Sequence, residues 1–385
     1  MALRLLALLL AALLPVGFAL DPVQGDLTRA GGYTENAFGP KAPQAVFVPP
    51  LAEPARAGTR YDVVVIGDGF SHPDPDDART PFGQFWTDHL RNATGLTVGV
   101  MHQERVSAWS YVNSAEFRER PPRVLIVETM ERRLRHQLPA MADADTVAET
   151  AHVTLASSRP APEAIPVKPL QATPQPRPRP MAHDGLIPPL GDALQFLSKA
   201  AERAMSGPGE SGVVELPVTY TRLFTSEKRS SSLFLAEDFA SWRADQVLLA
   251  ERRAAFRRLQ QAVESNGVTR FLLMVPPDKG TVYADFLEEP PPVRSIVETT
   301  LRDDPQLNLV PLAKGLREMA ANGTADLYAP NDSRWGAEGQ RFAAQAVHDS
   351  LRRMGVIATP ESPHIATLPC KPGYLDCAVA TTAAE

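Results

Sequence analysis

Apolar positions along the chain fall into two rhythms. Tyr61-Asp62-Val63-Val64-Val65-Ile66 is a β-branched run closed by Gly67. Near-continuous apolarity over so short a stretch predicts a strand buried on both faces of a parallel sheet. Leu96 to Met101, Arg123 to Glu128 behind Pro121-Pro122, and Phe271 to Val275 repeat the pattern. Between them Phe82 to Ala93 is predicted as an amphipathic helix, Gln246 to Val263 as a charged helix stopped near Gly267, and Gly336 to Met354 as a closing helix. Val213 to Phe224 alternates like a strand. Strands alternating with helices predict an α/β fold, a doubly wound parallel sheet flanked by helices.

Proline breaks this rhythm. The chain has 37 prolines in 385 residues, about twice ordinary usage, and eight of them stand between Pro160 and Pro180. Such a stretch donates too few backbone hydrogen bonds to build a packed element, so about 156–190 is predicted as a semi-rigid linker or surface excursion. Neither half alone has enough strands for a sheet of its own. The excursion is therefore expected to interrupt one α/β domain, 61–355, behind an extended segment 20–60 and ahead of a tail 356–385.

The ends of the chain set the compartment. Arg4 is followed by the apolar run Leu5 to Leu14, and Gly17-Phe18-Ala19 offers small residues where a signal peptidase cuts. That run is well under the ~20 residues a spanning helix needs. A signal peptide over 1–19 and a periplasmic product with no transmembrane segment after cleavage are expected. Export makes a disulfide the natural reading of Cys370 and Cys377, with Pro372-Gly373 as the turn between them. A formal net charge of −6 without a basic block sets nucleic acid aside.

Two segments carry candidate chemistry. Val65-Ile66-Gly67-Asp68-Gly69-Phe70-Ser71 ends a buried strand with a glycine-flanked acid, at the sheet end where open α/β sheets place their ligands. Ala329-Pro330-Asn331-Asp332-Ser333-Arg334-Trp335-Gly336 immediately precedes a helix. His102, His152 and His183 have no metal-ligand spacing, and neither metal nor cofactor is expected.

Together these segments resemble the SGNH-hydrolase superfamily, specifically the alginate O-acetyltransferase (AlgX/AlgJ-like) group. Leu27-Thr28-Arg29-Ala30-Gly31-Gly32-Tyr33-Thr34-Glu35-Asn36 looks like the group's N-terminal motif. Val65 to Phe70 is similar to its Gly-Asp-Ser-Phe strand, Pro276 to Tyr283 to a Pro-Asp-Lys-x-x-Val-Tyr signature, and Asn331 to Trp335 to Asn-Asp-Thr-His-Trp. The blocks run in the order of ordinary SGNH hydrolases, with Gly-Asp-x first and Asp-x-x-Trp last, a departure from the alginate enzymes. The resemblance implies acyl transfer: a serine attacks an ester carbonyl, a histidine takes its proton, and an aspartate orients the histidine.

Carried onto this sequence residue by residue, the resemblance finds the nucleophile position occupied by Gly69 and the base position by Arg334. A glycine has no nucleophile, and a guanidinium cannot accept a proton. Only the orienting acid, Asp332, is present. Losing nucleophile and base costs on the order of 10⁶ in rate. Two readings follow. In the first, the protein is a disarmed family member of exopolysaccharide acetylation or biosynthesis that binds acidic or acetylated polysaccharide, or partners other polysaccharide-acetylation proteins. Asp68, Gly69, Lys279, Tyr283, Arg334 and Trp335 then contact the polymer, with Tyr328 and Trp335 as sugar platforms. In the second, an active O-acetyltransferase or acetylesterase uses Ser71 and His72 beside Asp332.

Overall fold

The computed structural model describes residues 25–73, 82–135, 164–177, 190–206, 212–240, 246–290 and 294–358. The expected signal segment and the Cys370–Cys377 pair lie outside them. The strands are β1 (Ala45–Val46), β2 (Glu53–Pro54), β3 (Val63–Gly67), β4 (Val98–His102), β5 (Val124–Glu128), β6 (Gln175–Pro176), β7 (Val213–Pro217), β8 (Ser231–Leu235) and β9 (Arg270–Met274). Five of them form one parallel sheet of order β2-β4-β3-β5-β9, and a parallel bridge from Leu273 to Leu309 extends its far edge.

Register and side-chain alternation explain the unbroken apolar runs. Val100, Val65, Ile126 and Leu272 stand abreast across the sheet, and all enter the core beneath one face. One residue back, Val64, Leu125 and Phe271 stand abreast on the other face, in a second core. With both faces covered, polar residues have no place in the strand interiors. The helices Trp86–Thr94 and Ala337–Arg353 cover the first face with Trp86, Leu90, Ala343, Val347 and Leu351. Gln246–Glu264 covers the second with Leu249, Phe256, Leu259 and Val263. The predicted strands and helices recur within a few residues of these bounds. The alternating run from Val213 stops at Pro217 and pairs antiparallel with β8 in a separate hairpin. Among the described residues no helix is long and apolar enough to cross a membrane.

The described part of the Pro-rich stretch is a strap laid along the domain, not a linker between bodies. Its Ile165 makes a parallel bridge to Ile357, and the N–H groups of Lys168 and Leu170 donate to the carbonyls of Thr94 and Asn92. The Asn92 side chain brackets Ala172, donating to its carbonyl at 3.0 Å and accepting from its N–H at 2.8 Å. Beyond it β6 pairs antiparallel with β1. The approach needs Gly95: its φ is +75°, and a Cβ there would lie 2.2 Å from Lys168 O. Borrowed acceptors and donors thus replace the ladder that proline cannot build. Asn92→Ala should remove both brackets and cost about 1–2 kcal/mol. Faster limited proteolysis within 164–177 in an otherwise folded protein is the expected readout.

Candidate functional site

The order β4-β3-β5 places the topological switch point between the carboxyl ends of β3 and β5, where a doubly wound sheet opens its ligand crevice. Gly67-Asp68-Gly69 turns out of the sheet there, opposite Glu128. Asp68 is fully buried. Its carboxylate accepts from the N–H of Phe70 and of Met130, both at 3.1 Å, and from Gln103 Nε2 at 3.1 Å. Glu128 Oε2 in turn accepts from Asp68 N at 2.9 Å and from the Ser71 hydroxyl at 2.8 Å. Burial, followed by the Asp68 charge, pushes the Glu128 carboxyl well above its ordinary value. Gly67 is required, because a Cβ there would meet Glu128 Oε2 at 2.5 Å. Asp68 and Glu128 shape the turn from below rather than face a ligand.

The N-terminal motif and the Asn331–Trp335 segment form one unit, although they lie some three hundred residues apart. Glu35 accepts from Gly25 N at 2.8 Å and from Thr28 Oγ1 at 2.6 Å with one oxygen, and from Asn331 Nδ2 at 2.6 Å with the other. The first N–H groups of the helix Asp26–Gly31, orphans within the helix, donate to Asp332 Oδ2 and to Asn331 O. Asp26 accepts from Ser333 N at 2.8 Å and from its hydroxyl. The backbone presenting Asp332 is therefore clamped from the start of the domain.

The Pro-Asp-Lys signature holds the same segment from the other side. Lys279, fully buried, donates from Nζ to the carbonyls of Ala329 and Pro330 at 3.0 Å and of Asp332 at 3.4 Å. The Phe224 and Phe234 rings lie 5.0 and 5.4 Å from it. Burial drives the ammonium down to about 7 against the pull of Asp26, Asp332, Asp238 and Asp326. Three donors matched to three carbonyls suit the charged form. Asp278 receives Arg132 Nη1 at 3.0 Å, and Arg132 reaches Ser333 Oγ at 3.4 Å. Tyr283, also fully buried, accepts from Tyr328 N at 3.3 Å.

Above this foundation opens a cleft of about 530 Å³ of empty space, part of it open to solvent, lined by Gly69, Asp332, Arg334 and Trp335 together. The two sequence segments singled out for chemistry thus meet. Asp332 Oδ1 accepts from the N–H of Arg334 at 2.9 Å and from its Nε at 3.0 Å. Burial would raise the Asp332 carboxyl, but the Arg334 charge and these hydrogen bonds outweigh it and hold it below the ordinary value. Trp335 packs edge-on against Phe70 with ring centroids 4.7 Å apart, so most of its surface serves the core.

Sequence reasoning missed Arg177. It ends the strap, lines the cleft, and donates from Nη1 to Gln84 Oε1 at 3.1 Å. Gln44, Gln84, Asn331 and Gln340 line the cleft as well. Nothing in the spacing marks these residues, because long-range strap pairing brings Arg177 and Gln44 there. The β1–β6 pair sets them side by side, with Arg177 N donating to Gln44 O.

The placement corrects several expectations. Lys279 and Tyr283 have no exposed surface and do not line the cleft; they fix its backbone. Ser71 is fully buried, gives its proton to Glu128 and accepts from Trp86 Nε1 at 2.9 Å. His72 turns Nδ1 to Pro73 O at 2.5 Å. A replacement nucleophile needs access to the cleft, and Ser71 has none; its hydroxyl is held by Glu128 rather than by His72.

A parallel doubly wound sheet with a Gly-Asp turn at its switch point and an Asp-x-x-Trp segment facing that turn defines an SGNH hydrolase-like domain. Residues 231–373 match the family model described as "SGNH hydrolase-like domain, acetyltransferase AlgX", which supports the resemblance over this part of the chain. The matched span contains the Pro-Asp-Lys and Asn-Asp-x-x-Trp segments; the Gly-Asp-Gly turn lies outside it. No curated protein and no solved structure matches the chain.

Two outcomes test this architecture. Lys279→Met leaves its three carbonyls without their donor, with an expected loss of about 3–5 kcal/mol, the scale for breaking a buried ionic contact. Thermal unfolding measures it. Gly69→Ser with Arg334→His should create measurable hydrolysis of an activated acetyl ester, while neither single change should suffice, because nucleophile and base act as one unit. Gly69 is not among the glycines with positive φ, so a serine there meets no left-handed strain. A folded double variant no faster than the parent would show that the cleft has lost the family geometry.

Proposed function

We propose that this acetyltransferase-family domain is a catalytically disarmed, exported protein of exopolysaccharide acetylation or biosynthesis, one that binds acidic or acetylated polysaccharide in the periplasm. A supporting role beside an active acetyltransferase follows from the same reading. One observation carries it. The Asp332 carboxylate, which a family enzyme uses to orient its base, is occupied by the guanidinium of Arg334, and Gly69 lines the same cleft. Arg334 is cationic at every physiological pH and takes no proton from a nucleophile. What remains is a cleft with two guanidinium groups, Arg177 and Arg334, among amide side chains. Planar, multidonor guanidinium groups suit carboxylates, and amides suit sugar hydroxyls. The N-terminal leader read from the sequence supports export.

Titration with a uronate-rich polymer against a neutral one of equal length tests the proposal. Arg177→Ala with Arg334→Ala should weaken uronate binding by roughly 100-fold or more, since each of the two charged hydrogen bonds lost contributes about 1.5–3 kcal/mol. Binding should also weaken as salt rises. Equal affinity for the neutral polymer, or no binding and no co-purifying acetylation protein, would overturn it.

A further inference from the structure

A second cavity, with about 560 Å³ of empty space, part of it open to solvent, lies beyond the carboxyl ends of β5 and β9 and shares no lining residue with the first. Val275, Pro277, Val297 and Ala313 make it apolar and buried at the base. Arg302, Lys314 and Arg317 bring cations to it. Their local balance is uneven. Arg302 is paired with Glu298, whose other oxygen accepts from the N–H groups of Leu312 and Ala313 at the start of the helix Ala313–Ala321. Lys314 has only an exposed contact with Glu318 at 3.6 Å, of a kind that contributes little. Arg317, half-buried, has no hydrogen bond or ion pair among the described residues.

The hydroxyl groups of the wall complete the chemistry. Ser295 and Thr281 direct their protons to the buried Glu131, and Thr299 directs its own to Ile296 O at 2.8 Å. With their protons committed internally, these groups offer an occupant lone pairs only. A fitting occupant brings an anionic end for Arg317 and Lys314, and hydroxyl donors for the wall. We propose that this cavity is a second ligand site, for a small polyhydroxylated anion, a sugar acid or a sugar phosphate.

Calorimetric titration of the folded protein with gluconate and with glycerol 3-phosphate tests the site and separates carboxylate from phosphate. Saturable binding of at least one is expected, with none for neutral glycerol. Arg317→Ala should weaken it at least tenfold. Lys314→Glu, a reversal on an exposed side chain, should weaken it in the same direction and guards against a folding defect at Arg317. The saturable site that the cavity variants weaken should persist in Arg334→Ala. No saturable binding of either anion, undiminished binding by both cavity variants, or loss in Arg334→Ala alone would overturn the assignment. The last outcome would place the anion in the first cleft and leave the reading of that cleft intact.

Discussion

The buried ammonium of Lys279 is the contact on which the cleft depends. A charge taken wholly out of water is tolerated only when its donors are all met, and here three backbone carbonyls meet them. Those carbonyls belong to Ala329, Pro330 and Asp332, so the ammonium also fixes where the Asp332 side chain starts. The neighbouring Phe224 and Phe234 rings exclude water and present their faces to the cation. Glu35 and Asp26 hold the same segment from the opposite side. The loop carrying Asp332 is thereby held between the segment of Asp26 and Glu35 on one side and Lys279 on the other.

Given that fixed carboxylate, the exchange of one neighbouring side chain changes what the cleft does. A histidine held by Asp332 would shuttle protons near neutral pH; the arginine in its place forms a lasting charge pair and lowers the acid. The underlying acids keep the fold's design. Glu128 still braces the Gly67–Gly69 turn, and Arg132 still links Asp278 to Ser333. The buried framework around the cleft is thus complete, while the two positions that the resemblance assigns to nucleophile and base hold Gly69 and Arg334.

Much of this could be read from the chain alone, for reasons of period and covalent identity. The runs at Val63, Val98, Val124 and Phe271 are apolar on both alternating faces, which only a sheet covered twice accommodates. The resemblance aligns Gly69 and Arg334 with the family's nucleophile and base, and a missing hydroxyl and a permanent cation are properties of the residue itself. The resemblance at Pro276 to Tyr283 was legible too, but its role was not. Lys279 and Tyr283 belong to a signature that sequence reading placed against a ligand, and burial turned them inward.

What the tertiary structure alone decided was proximity and exposure. Ser71 is two residues from Gly69, yet the turn sends its hydroxyl down to Glu128 and Trp86, away from the cleft. Arg177 belongs to a proline-rich stretch with no motif, yet pairing of β6 with β1 carries it to the rim beside Asp332. The sequence by itself determined the periodicity that builds the sheet and the residue types that stand at the positions the resemblance singles out. Which polar groups reach solvent and which are consumed within the protein depended on long-range packing, because hydrogen-bond partners three hundred residues apart are chosen by the folded backbone and leave no periodic trace in the chain.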